Sequence, residues 1–385
     1  MPSNAPILPL ELFLHITEHC TRLELLSLVQ VNRSCHGGIL PILYRIIPLT
    51  NYDVTFMFCR TICDGPEHLP YYPLVIEIDL CGEPDDQLRE NEETEDLDKR
   101  LAVAHKQDEM LGNVVADTLA LTVNLVHLSL QSWREQVFDP IFALDRLPYS
   151  FMLRRLCIQA LAQEGFGKFL EQQRCVEELH LAWSWEGDSR EFRESGRYNL
   201  AFEALPALRN LCIETPPLVG LRLMKNSPVT TLRLKINSHY CENLELGLLL
   251  QQGSVPLTSL RVSTWGFPGT INKRLPRLLQ TIRFCRYSLR DLTIVVSEGY
   301  DEQSTLKAER MTDLDSVKSS LQGFDALEAF ALMNQWDDET PSLEMDFDIH
   351  SCIQQTLPPS PLEPLWKESC PNLKRLFLYR PIFSI

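Results

Sequence analysis

From residue 72 onward the chain repeats one arrangement of positions, apolar-x-x-apolar-x-apolar. It occurs as VIEIDL from Val75, LVHLSL from Leu125, LRRLCI from Leu153, VEELHL from Val176 and LRNLCI from Leu208. It continues as VTTLRL from Val229, LTSLRV from Leu257, LRDLTI from Leu289, LEAFAL from Leu327 and LKRLFL from Leu373. The last two apolar positions of each copy alternate with polar ones, which predicts a strand with one buried face. Between copies the spacing turns helical, as in GFGKFLEQQ (165–173), ENLELGLLLQQG (242–253) and LPRLLQTIRFC (275–285). Neither element hides its apolar face alone, so successive units must stack on one another. The expected fold class is therefore α/β, a curved solenoid with a parallel sheet over residues 72–385. Copies start 21 to 50 residues apart, so the repeat geometry should be irregular.

The first fifty residues follow a different rhythm. Pro9 suits the first turn of a helix. A helix from about Leu10 to Cys20 puts Leu12, Phe13, Ile16 and Cys20 on one face, with His15 and Glu18 off it. A second helix, from about Leu23 to Val31, carries Leu25, Leu26, Leu28 and Val31. Gly37-Gly38 breaks the pattern, and ILPILYRII supplies a third apolar segment. A module this small leaves much apolar surface uncovered, and an exposed apolar patch marks a binding site. The domains read as a helical module over 1–50, a linking helix and connector over 51–71, and the repeat array over 72–385.

The opening residues resemble an F-box of the kind found in many fungal proteins. The resemblance rests on Leu8-Pro9-x-Glu11-Leu12 with Ile16, Leu25-Leu26-Ser27-Leu28-Val29, Val31-Asn32-Arg33-Ser34 and the ending Ile39-Leu40-Pro41-Ile42-Leu43-Tyr44-Arg45. Cys20-Thr21-Arg22 departs from it, standing where a leucine and an aspartate are commoner. The array resembles a degenerate leucine-rich repeat. The asparagine usual three residues past the third apolar position survives only at Asn237. The F-box resemblance implies binding to the Skp-type linker of a cullin-RING (SCF-type) ubiquitin ligase. Its interface would be Leu8, Pro9, Leu12, Ile16, Leu25, Leu26, Leu28 and Val31, with the repeats holding a protein substrate. The reading left open beside it is a stand-alone repeat scaffold whose N-terminal helices only cap the array.

Composition narrows the partners. A net charge of −16 argues against nucleic acid or an anionic membrane surface, since both demand a positive field. The sequence has no apolar run of 18 residues, so no membrane-spanning helix is expected. Its start lacks a basic n-region, so no signal peptide is expected. Twelve scattered cysteines suit a reducing, intracellular setting, cytoplasmic or nuclear. EPDDQLRENEETEDLDKR (83–100) holds nine acidic residues and predicts a disordered loop. Milder insertions are expected at 185–197 and 297–315, and a proline-bearing one over 335–370.

Two constellations invite a catalytic reading. His15-Ile-Thr-Glu18-His19 spells H-x-x-E-H. A zinc site needs a third protein ligand on a shaped scaffold, and the polar flank of an amphipathic helix accounts for these residues. Cys59-x-x-x-Cys63 with His68 could be taken for a metal cluster, but Phe56, Cys59 and Cys63 share helical spacing with Phe58 and Ile62, so core packing is expected there. G-x-S-x-G, G-x-x-x-x-G-K-[ST] and G-x-G-x-x-G motifs are missing from the sequence. No catalytic residue, cofactor or metal is expected. Substrate contacts are sought instead on strand positions turned from the core, among them Ser129 and Gln131, where Arg233, Lys235 and Arg261 form a basic island. Trp133, Trp183, Trp185, Trp265 and Trp336 fall just past predicted strands, and tryptophan is enriched in interface hot spots.

Overall fold

The computed structural model describes residues 12, 15–17, 19–31, 33–81, 94–132, 135–159, 164–182, 205–214, 223–237, 247, 250–251, 253, 255–265, 271–297, 314–335 and 369–378. The chain divides into two compact units, Met1–Val176 with Ser184–Phe202, and Glu177–Trp183 with Glu203–Ile385.

In the first unit, α1 (Arg22–Val29) and α2 (Arg33–Leu43) lead into β1 (Ile46–Leu49), α3 (Tyr52–Asp64) and β2 (Val75–Asp79). There follow α4 (Thr94–Leu121), β3 (His127–Gln131), β4 (Arg155–Gln159) and α5 (Glu164–Gln172). The four strands pair parallel in chain order, with Ile47, Ile76, Leu128 and Leu156 in one register row. Leu49, Ile78, Leu130 and Ile158 form the next row on the same face, and all eight side chains are buried.

The second unit holds β5 (Glu178–Ala182), β6 (Asn210–Glu214), β7 (Thr231–Asn237) and β8 (Ser259–Trp265). It continues with α6 (Ile271–Ile282), β9 (Asp291–Ser297), α7 (Leu314–Ser320), β10 (Ala329–Gln335) and β11 (Arg375–Leu378). These seven strands also pair parallel in chain order. Leu179, Leu211, Leu232, Leu260, Leu292 and Phe330 line one buried row, and Leu181, Ile213, Leu234, Val262, Ile294 and Leu332 the next. The first apolar position of each repeat is buried too, from Leu125 to Leu373. Fully burying one such side chain is worth about 2 kcal/mol over leaving it exposed, so the repeated leucines dictate the architecture.

A backbone rung recurs where each repeat enters its strand. Two successive amides donate to one carbonyl of the preceding repeat. The N–H groups of Thr230 and Thr231 donate to Arg209 O, and those of Thr258 and Ser259 to Thr230 O. Arg290 and Asp291 onto Thr258 O, then Glu328 and Ala329 onto Arg290 O, continue the series. Side chains reinforce this entry turn. Asn124 Nδ2 donates to Tyr71 O (2.8 Å), Ser288 Oγ to Leu257 O (2.7 Å) and Asn372 Nδ2 to Asp325 O (2.6 Å). Buried Gln173 accepts from Leu153 N (2.8 Å) through Oε1, and buried Ser227 from Leu205 N (3.1 Å) through Oγ. Polar support that the sequence pattern lacks after the strand is thus supplied before it.

Four local expectations change. Residues 46–49, assigned above to the helical module, form β1, because Ile47 and Leu49 alternate with exposed Ile46 and Pro48 and pair with β2. In the first repeat the frame moves by two residues. Ile76 and Ile78 stand opposite Leu128 and Leu130, so Pro73 takes the leading position and Val75 is only half-buried. The α2 helix runs through Gly37-Gly38 and Pro41 rather than breaking there. Burial of Ile39 and Leu43 against Leu25 outweighs glycine's cost of about 1 kcal/mol per residue. Residues 94–100, expected in the disordered acidic loop, begin α4. Their Glu, Asp, Lys and Leu content tolerates helix, and the helix they extend has Leu111, Val115 and Leu119 in the core. The rest of that acidic loop, and most of the expected insertions, lie outside the described residues.

Candidate docking surfaces

The first candidate surface belongs to the N-terminal helices. Thr21 caps α1 through a reciprocal pair: its hydroxyl accepts from Glu24 N (3.4 Å), and its N–H donates to Glu24 Oε2 (2.7 Å). The Thr21 hydroxyl also donates to Glu24 Oε2 (2.8 Å). These bonds from Thr21 hold the Glu24 carboxyl below the usual carboxylate range. The cap fixes where α1 begins and so which leucines turn inward. Leu25 packs with Ile39 and Leu43 of α2, with Cys20, Leu28, Val29, Cys35, Ile42 and Tyr44 around them. This is the module's own small core.

Four other apolar residues of the module turn outward. Leu12 is 52% exposed, Ile16 49%, Leu26 46% and Val31 64%, against 7% for Leu25. Leu28 is half-buried, and Leu25 belongs to the core, because it is the α1 position that meets Ile39 and Leu43. Leu8 and Pro9, the other two residues singled out in the sequence, lie outside the described residues. Leu23, which the spacing argument passed over, is the most exposed of the group at 77%. It sits three residues before Leu26, hence on the same helical face.

The histidines of the H-x-x-E-H stretch are exposed and meet edge to face, ring centroids 5.1 Å apart. Glu18 lies outside the described residues. Among the described residues no three His, Cys, Asp or Glu side chains gather to hold a metal ion. Cys59 is buried, its carbonyl accepts from the Thr118 hydroxyl (3.3 Å), and Cys63 Sγ lies 3.5 Å from Thr118 Oγ1. His68 instead packs on Tyr72.

The second candidate surface is the sheet face turned from the core in the second unit. Its central row reads His180, Cys212, Arg233, Arg261, Thr293 and Ala331 from β5 to β10. Arg233 and Arg261 are direct register partners, and Lys235 follows on β7 opposite Ser263. The three basic residues found in the sequence are therefore brought together. Arg233 and Lys235 are exposed, while Arg261 is half-buried. Burial, and then the neighbouring Arg233 charge, lower the pKa of Arg261 from its ordinary value.

Carboxylates on this face are engaged near the strand starts. Asp291 Oδ1 accepts from Arg375 (2.9 Å), Glu328 Oε2 from Lys374 (2.7 Å) and Glu178 Oε1 from Asn210 (3.2 Å). In the first unit the equivalent face is partly closed. Ser129 and Gln131, expected to be solvent-facing, are buried, with Gln131 Nε2 3.4 Å from Ser129 Oγ and 3.8 Å from Cys157 Sγ. Trp265 ends β8 instead of following it, in register with Asn237 and Ser297. Trp133, Trp183, Trp185 and Trp336 lie outside the described residues.

No helix among the described residues is long and apolar enough to cross a membrane. No protein-family model matches the chain, and no curated protein matches it.

Proposed function

We propose that this protein is a non-catalytic adaptor: an F-box-like module grips the Skp-type linker of a cullin-RING ubiquitin ligase, and the repeats hold a protein substrate. The observation that carries the reading is the apolar set Leu12, Ile16, Leu26 and Val31, left outside a module that already has a core in Leu25, Ile39 and Leu43. These four large apolar side chains, 46% to 64% exposed, lie within a stretch of 20 residues. A hydrophobic partner surface would cover them, each contributing about 1–2 kcal/mol on burial. Leu23 joins that set by its exposure. The adaptor would work by proximity, holding a substrate near chemistry performed by another subunit, in a cytoplasmic or nuclear setting.

The test is capture of a purified Skp-type linker by the full-length chain and by Leu12→Asp and Leu26→Asp. Both positions are about half exposed, so an aspartate there leaves the fold intact, which a thermal melt checks. Each variant should retain a tenth or less of the captured linker, because a carboxylate is stranded in an apolar interface. Equal capture by all three proteins removes the ligase reading and leaves a capped repeat scaffold in its place.

A further inference from the structure

We propose that the turn over residues 283–290, between α6 and β9, docks an acidic segment of a partner polypeptide, with Phe284 and Tyr287 meeting an apolar side chain of that segment. The inference rests on the reading above, in which the repeats hold a protein substrate, and it names the chemistry of that substrate. Phe284 is 58% exposed and Tyr287 71%. Cys285 between them and Leu289 beyond are buried, so the backbone is anchored from beneath. Arg283–Cys285 is a 3-10 turn, and its bonding continues from Arg286 N to Arg283 O (3.2 Å) and from Ser288 N to Cys285 O (3.0 Å). In that geometry side chains three residues apart stand one above the other. Phe284 and Tyr287 therefore share one side of the turn, and Arg283 and Arg286 share another. Neighbouring repeats hold the turn in place: Ser288 Oγ donates to Leu257 O (2.7 Å), and Arg283 Nη2 to Gln322 O (3.2 Å). The Arg286 guanidinium lies over the Tyr287 ring, 4.4 Å from its centroid. A surface positioned in advance loses little freedom on binding, and aromatic residues and arginine are enriched where proteins meet.

Charge selects the occupant. Residues 246–290 hold seven lysines and arginines and neither aspartate nor glutamate, in a chain whose net charge is −16. Arg283 donates to a neutral carbonyl and Arg286 to the Tyr287 phenol, and among the described residues neither guanidinium meets a carboxylate. Neutral partners leave both charges uncompensated beside the exposed rings. Arg290 adds less, because it lies in the field of Glu328, whose carboxylate Lys374 already holds (2.7 Å). Apolar area flanked by positive charge is the complement of a peptide that mixes carboxylates with apolar side chains. A lipid surface fits less well. A basic helix lying on a membrane inserts its apolar face, whereas Leu275, Leu278, Leu279 and Ile282 of α6 are buried in the protein. The overall negative charge also opposes an extended anionic surface, while a short acidic segment brings its charge only to the basic spot.

The experiment measures anisotropy of a short fluorescein-labelled acidic peptide that alternates glutamate with leucine, titrated with the full-length chain. One control peptide carries glutamine for glutamate, and another carries serine for leucine. Phe284→Ala, Tyr287→Ala and Arg286→Gln should each weaken binding of the acidic peptide about tenfold, and added salt should weaken it in the wild type. Neither control peptide should bind. Phe284 and Tyr287 are exposed, so their variants keep the fold, which thermal melts of all three variants check. Wild-type affinity in all three variants overturns the proposal, as does a control peptide that binds as well as the acidic one. Co-sedimentation of the chain with phosphatidylserine vesicles, lost in Tyr287→Ala and seen without peptide binding, overturns it too. Linker capture is read on the same preparations. If the wild type captures the linker but ignores the acidic peptide, this inference falls and the adaptor reading stands. If the peptide binds through the turn while the linker is not captured, the inference stands and the adaptor reading falls.

Discussion

Burial sets the chemistry of the cysteine side chains one by one. It pushes the Cys59 thiol up to about 12, against a weaker opposing hydrogen bond with Thr118, and the Cys285 and Cys370 thiols up to about 11. Cys175, by contrast, is exposed. The thiolate is the reactive species, so among the described cysteines iodoacetamide near pH 8 should modify Cys175 first. Cys59, Cys285 and Cys370 should react only on unfolding, as peptide mass mapping over time would show. Labelling of Cys59 as fast as Cys175 would mean that α3 is not packed as described. The same shifts carry a sign for stability. Above the ordinary thiol value of 9 the unfolded chain loses protons that these folded thiols keep. Their contribution is whole below that pH and is lost as pH rises toward 11 or 12. The urea midpoint should therefore fall between pH 8 and pH 10, and fall less steeply in Cys59→Ala.

Among the elements, two helical glycines give opposite predictions from one substitution. Alanine in place of a helix-interior glycine ordinarily gains about 1 kcal/mol. Gly37 in α2 has nothing within 4 Å of an added Cβ, so Gly37→Ala should raise the urea midpoint by up to that amount. Gly112 in α4 meets the 3-10 segment Glu135–Phe142, where a Cβ would lie 2.1 Å from Val137 O and 2.9 Å from Pro140. Gly112→Ala should instead destabilise by about 2 kcal/mol, since backbone has to move. A gain at Gly112 would show that the segment does not pack there. The same elements mark what a sequence reveals. The strands are legible because each buries apolar residues at period two, although VIEIDL is apolar in two frames and only pairing with β3 decides between them. The side of α1 that faces the core is not legible, because Leu23, Leu25, Leu26, Leu28 and Val29 surround most of its circumference. Spacing alone therefore cannot separate buried Leu25 from exposed Leu26 and Leu23. The entry-side supports do carry a readable signal: Asn124, Ser288 and Asn372 each stand immediately before the first leucine of a repeat. The arginine pair is legible because VTTLRL and LTSLRV carry arginine at the same place in consecutive copies. Of the five tryptophans placed just past predicted strands, all but Trp265 lie outside the described residues.

At the scale of the whole molecule the exposed leucines belong to the first compact unit and the turn over residues 283–290 to the second. The proposed adaptor would use both surfaces at once, and independence of the two is the expectation under test. Sites with no shared partners contribute additively, within about 0.5 kcal/mol. Leu26→Asp should therefore abolish linker capture while leaving acidic-peptide affinity within about twofold of wild type. Tyr287→Ala should do the reverse, and the double variant should lose both. A titration of the linker in the presence of saturating acidic peptide gives the stricter reading, because binding linkage is reciprocal. If peptide shifts linker affinity more than about threefold, the units communicate and the molecule is a switch instead of a passive bridge. Additivity would mean that substrate choice and ligase attachment can be altered independently, each by a single substitution in its own unit.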